Sequence, residues 1–187
     1  MKTNTFYFDS NDKHCPLLLG HRLADMIMSH EKFMNNIVLL CIGSDRSTGD
    51  SLGPLIGYKL SRRNHTNLSI YGTLESPVHA INLCETMDII NSSHPDSLII
   101  AMDACIGKHN HIGYITLSNS PLYPGLGVQK KLPQVGDICI TGIVNFQNVM
   151  DNMILQTTRL DTVMKLADSI SEAITKAVKV IDVPLYN

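Results

Sequence analysis

The chain carries no excess of either charge: 15 lysines and arginines face 17 aspartates and glutamates, for a formal net charge of -2. That balance excludes the electrostatic footprint of a nucleic-acid binder and the solvating run of an acidic tail. No stretch approaches eighteen uninterrupted apolar residues, and the opening "MKTNTFYFDSNDKHC" lacks the continuous apolar segment of a secretory signal. No membrane segment and a cytoplasmic setting are therefore expected. The five cysteines (Cys15, Cys41, Cys84, Cys105 and Cys139) are odd in number and show no CxxC spacing, which argues for reduced, mostly buried thiols rather than a disulfide framework. Internal repeats, low-complexity tracts and domain linkers are absent too.

What remains is an ordinary globular composition, 44% hydrophobic over 187 residues. A chain of that length buries roughly 70% of the surface its unfolded form exposes, so one compact domain spanning residues 1–187 is expected, with residues 1–15 as an irregular N-terminal segment.

Pro16 opens a helical pattern with Leu19, Leu23, Met26 and Ile27 on one side. The apolar run at 37–42 reads as a strand buried on both faces. A helix beginning at Asp50 and Ser51 follows, then a short strand at 68–71 and a helix opening at the Ser76-Pro77 pair. "DSLIIAMDA" is the third buried strand, ending at Asp103. The order β-α-β-α-β predicts a largely parallel sheet covered by helices on both faces. "GYITL" and "DICITGIV" add strands, joined by the glycine- and proline-rich connection 118–136. A loop that long inside a compact domain is more often functional than idle. "NFQNVMDNMIL" and an apolar stripe from Val163 to Val178 read as helical.

The segment "IVLLCIGSDRSTGDSLGP" at 37–54 places a glycine-rich loop between strand and helix, which is the geometry of a phosphate site. The spacing contradicts that use. A P-loop needs GxxxxGK[ST], whereas "GSDRSTGDS" has five residues between its glycines and Asp50 where the lysine belongs. Gly43, Gly49 and Gly53 do not make GxGxxG either. Asp50 fits a helix-capping carboxylate, and Asp103 a turn-capping one. Because the C-terminal ends of neighbouring parallel strands converge on one edge, the two also fit a paired site in a common crevice.

"GSDRSTGDSLGP", "GTLESPVHAINL", "LIIAMDAC" and "YPGLGVQKKLPQVGDICITGIVN" together resemble the YyaC-like sporulation proteins, which are related to the spore germination protease and more distantly to the hydrogenase maturation endopeptidases. The resemblance implies a three-layer α/β fold of the phosphorylase/hydrolase-like type, with a mixed, mostly parallel sheet flanked by helices. It also implies a sporulation-associated peptidase that cuts a small protein in the cytoplasm of a sporulating cell, or a non-catalytic relative that binds a peptide or protein partner in the same crevice. By motif the germination protease's two catalytic aspartates fall on Asp50 and Asp103. Gly43, Ser44 and Gly49 would line the crevice, and Lys130 and Lys131 would orient a substrate carboxylate or carbonyl, or form a solvated loop face. In the maturation endopeptidases the acidic positions bind the substrate's nickel together with a later histidine, and no histidine follows His111 here. No metal or cofactor is assigned, and neither nucleic acid nor membrane is expected as a partner; a homo-oligomer is compatible with the pattern. Cys105 with His109 or His111 makes a conceivable thiol pair, and Cys105 equally fits a small apolar filler.

Overall fold

In the computed structural model, which describes residues 4–32, 36–63, 68–124, 132–146 and 157–181, six strands form one sheet in the order β1-β5-β6-β4-β2-β3. The strands are β1 (Thr5–Asp9), β2 (Ile37–Cys41), β3 (Leu68–Tyr71), β4 (Leu98–Gly107), β5 (Tyr114–Ser118) and β6 (Ile138–Phe146). β3, β2, β4 and β6 run parallel, while β5 and β1 close one side antiparallel. The mixed, mostly parallel sheet agrees with the sequence pattern.

Alternation along the central strands divides the core in two. Leu39 and Cys41 of β2 with Leu98, Ile100 and Met102 of β4 point to the face covered by α1 (Cys15–Met28), α2 (Leu52–Ser61) and α4 (Leu160–Ile181). Val38 and Leu40 with Ile99 and Ala101 point to the other face, under α3 (Leu83–Ser93) and the segments around Val78, Leu122 and Val135. β2 is buried at every position, which is why it reads as a continuous apolar run rather than an alternating one. The stripe from Val163 to Val178 is the buried side of α4.

Three sequence expectations are corrected. The N-terminal segment is not irregular throughout: Thr5–Asp9 pairs antiparallel with β5, turning Phe6 and Phe8 inward and leaving Tyr7 out. Arg22 of α1 lies over the Phe6 ring, 4.0 Å from its centroid. The helix expected at Ser76-Pro77 starts only at Leu83, because the preceding residues dock on the sheet: Val78 bridges to Ile42, and the Asn82 side chain accepts from the His79 N–H and donates to the Pro77 carbonyl. Finally, β4 does not stop at Asp103. Its pairing with β2 ends at Met102, but its ladder with β6 continues to Gly107 past a bulge after Cys105. The helix expected in "NFQNVMDNMIL" falls mostly outside the described residues.

Candidate functional site

Asp103 is the first β4 residue beyond the β2 ladder, opposite Thr141 of β6. By alternation it continues the face of Ile99 and Ala101. Asp50 arrives from the loop after β2, at the end of a short 3-10 turn (Thr48–Asp50) that precedes α2. That loop is tightly wound. Gly43 has φ +140, and a Cβ there would collide with the Asp50 carbonyl oxygen, so only glycine closes the turn. The Ser44 N–H donates to the same carbonyl at 2.9 Å.

The two carboxyls feel each other. Burial, the Asp50 charge next, push Asp103 well above the ordinary carboxylate range, against the pull of a hydrogen bond from the Ala104 N–H to Oδ1 (2.7 Å). Burial raises Asp50 to about 6, opposed by hydrogen bonding from the Ser44 amide and by the charge of nearby His79. Both carboxyls are thus raised, and the Asp50 charge acting on Asp103 disfavours ionising the two together.

The remaining expected site residues have separate fates. The buried Gly43 N–H donates to the Val78 carbonyl at 2.8 Å, and Gly49 is buried within the 3-10 turn. Ser44 Oγ accepts from the Arg46 N–H at 3.3 Å. In this state the polar groups of Gly43 and Ser44 brace the loop. Lys130 and Lys131 lie outside the described residues. His109 stacks edge-on against Phe146 at the end of β6, and His111 sits between the rings of Tyr7 of β1 and Tyr114 of β5, so both are engaged in aromatic packing. The Cys105 thiol donates to Thr141 Oγ1 at 3.3 Å and is raised first by burial and further by Asp103, which keeps the nucleophilic thiolate scarce. Among the described residues, no three His, Cys, Asp or Glu side chains are gathered as a metal cage.

Sequence reasoning missed His79. It sits inside the quoted "GTLESPVHAINL" motif, yet nothing in the spacing tied it to Asp50. The available signal was the histidine itself, set between two apolar positions in a segment too polar and proline-marked for an ordinary helix start.

The model of a family described as "Protein of unknown function (DUF1256)" matches residues 7–173. A Bacillus subtilis (strain 168) protein named "Uncharacterized protein YyaC" is 48% identical over 139 residues, covering 74% of this chain and 68% of that one. Among solved structures, a [NiFe] hydrogenase maturation protease HycI from Thermococcus kodakarensis KOD1 superposes with a TM-score of 0.56 at 17% identity, over 84% of this chain and 99% of the other. At that identity the likeness is one of fold.

Proposed function

The chain belongs to the DUF1256 family, and on that premise we propose that it is an aspartate-dependent peptidase that cleaves a small protein substrate in the crevice at the C-terminal edge of its sheet. The observation that carries this reading is the meeting of two carboxyls at one sheet edge: Asp103 on β4 just past the end of its β2 ladder, and Asp50 on the loop that leaves β2, close enough for its charge to act on Asp103. One carboxylate and one carboxylic acid at a single edge are what hydrolysis by paired aspartates requires. Asp50 takes a proton from water as the water oxygen bonds to the scissile carbonyl carbon, and Asp103 gives its proton to the carbonyl oxygen. When the C–N bond breaks, the leaving nitrogen takes the proton from Asp50, a hydroxyl of the intermediate returns one to Asp103, and the pair is restored.

The fold likeness to a maturation protease supports a protein substrate. So does Ile81, 89% exposed on the loop that carries His79, which offers an apolar contact to an unfolded segment. The resemblance to sporulation proteins and to the germination protease supplies the setting, the cytoplasm of a sporulating cell, and a class of substrate, the small acid-soluble proteins of the spore.

The test incubates the purified protein with those proteins and with an extract of sporulating cells, and follows new termini by mass spectrometry. Wild type should generate termini that Asp50→Asn and Asp103→Asn do not. Identical termini from all three, with a common partner still captured through the crevice, would replace the peptidase with a non-catalytic binding protein.

A further inference from the structure

His79 is held with unusual thoroughness for a loop residue. Its N–H donates to Asn82 Oδ1 at 2.8 Å, and its carbonyl accepts from the N–H groups of Asn82 (3.1 Å) and Leu83 (3.0 Å). The neighbouring Val78 is pinned to the end of β2 through the Gly43 N–H and the bridge to Ile42. The backbone thus fixes where the ring sits, without any contribution from the ring. The ring in turn lies near enough to Asp50 to act on its charge. Yet Nδ1 is buried from solvent and has no hydrogen-bond partner. A buried imidazole nitrogen without a partner costs free energy, and such groups are otherwise nearly always satisfied. Ser47 Oγ, three residues before Asp50, is a second buried polar atom without a partner. With His79 acting on the Asp50 charge and Ser47 opening the short turn that ends at Asp50, the two unsatisfied groups mark a place where a ligand's polar atoms are expected.

We propose that His79 is a third working residue of the aspartate crevice, held beside Asp50 so that its Nδ1 meets a polar atom of the bound polypeptide, such as a backbone carbonyl or amide. This rests on the crevice being a peptide site and deepens that reading. The ring has a second effect: as imidazolium it favours the ionised form of Asp50 that the hydrolytic step uses. The titratable groups facing Asp50 are His79 from the loop 73–82 and Asp103 from β4, with Cys105 beside Asp103.

The experiment has two arms on His79→Gln and His79→Asn, both of which keep the backbone clamp. With the protein substrate identified in the extract assay, KM should rise about tenfold while kcat changes less, because the lost contact belongs to binding. In parallel, carbon-13 carboxyl spectra of aspartate-labelled protein should show the Asp50 titration moving above that of wild type, since the favourable charge is gone; a loop residue with a merely structural role would leave it in place. Unchanged KM together with an unchanged Asp50 titration overturns the proposal. If the wild-type chain cleaves nothing, the peptidase reading falls by itself, and the carboxyl titration still decides on His79: a raised Asp50 upholds its partnership, an unmoved one ends it.

Discussion

Asp137 immediately precedes β6, whereas Asp103 lies midway along β4 opposite Thr141 of β6, and their surroundings are opposite in kind. Both oxygens of Asp137 accept from Lys32 Nζ (2.9 and 3.1 Å), and Oδ2 also accepts from the Ile99 N–H at 2.9 Å. Asp103 receives one hydrogen bond, from its neighbour's amide, and faces another carboxyl; among the described residues no cation pairs with it. A cavity of about 670 Å³ opens beside Asp137, between Arg22, His30 and Asn119, yet that carboxylate is already neutralised. Room alone does not mark a reactive site. A buried carboxyl left without a counter-charge does not add to stability, and strongly shifted groups of this kind gather where chemistry is done.

The sharpest way to break this contrast is to place asparagine at each of the two facing carboxyls in turn. Asp50→Asn and Asp103→Asn should each reduce cleavage by at least ~100-fold with the fold intact, because acid-base groups contribute that much and the amide is nearly isosteric. Asp103→Asn in particular removes a carboxyl whose ionised form burial disfavours, so its thermal midpoint should stay at or above that of wild type. A large loss of stability in Asp103→Asn would show that the carboxyl is structural and erase its difference from Asp137.

Asp137→Ala should do the reverse. It leaves Lys32 without its partner and the Ile99 amide without its acceptor, at a cost of about 2 kcal/mol, or roughly 4–8 °C in Tm for a chain of this size. Cleavage should remain within about threefold of wild type, since surface-edge changes far from a site seldom reach it. Calorimetry and the terminus assay on the same preparation read both quantities.

The pH dependence of stability sharpens the comparison further. The folded Asp50 holds its proton up to about 6, against an ordinary aspartate value of 3.8. The stability it confers is therefore fully present below pH 3.8 and is lost as pH rises through about 6, the unfolded state ionising first. Urea midpoints of wild type should fall relative to Asp50→Asn between about pH 4 and 6. Parallel curves across that range would mean that Asp50 titrates as an exposed aspartate.

How much of this was readable beforehand follows from where the information lies. The strands at 37–41, 98–103 and 138–144 are visible as apolar runs because a parallel sheet covered on both faces needs them. The expected pairing of Asp50 with Asp103 rests on the edge that parallel strands share. β1 was missed because "TFYFD" is a short edge strand whose half-buried pattern depends on a partner more than a hundred residues away. The late start of α3 was missed because Pro77 signals a first helical turn locally, whereas Val78 and Asn82 are committed to the sheet and to their own loop. His79 was hidden for the same reason: its role depends on that docking, which no periodicity encodes.

The smallest expected effect is at Cys105, and it tests whether the Asp103 site works through carboxyls or through sulfur. The thiol lies two residues along β4 from Asp103, on the same side of the strand, so a nucleophilic role has the right address. Its chemistry is wrong for it. Burial and the adjacent Asp103 raise the thiol, and its hydrogen bond runs to Thr141 Oγ1, whose hydroxyl is shared with Thr116 at 2.7 Å, rather than to a histidine base. A thiolate formed there would face a carboxyl pair and not a counter-cation. Cys105→Ala should therefore leave cleavage within about twofold of wild type, and thiol alkylation should be slow under native conditions. A loss as large as that of Asp103→Asn, with the fold intact by circular dichroism, would move the nucleophile from water to sulfur and recast Asp103 as the group that tunes it.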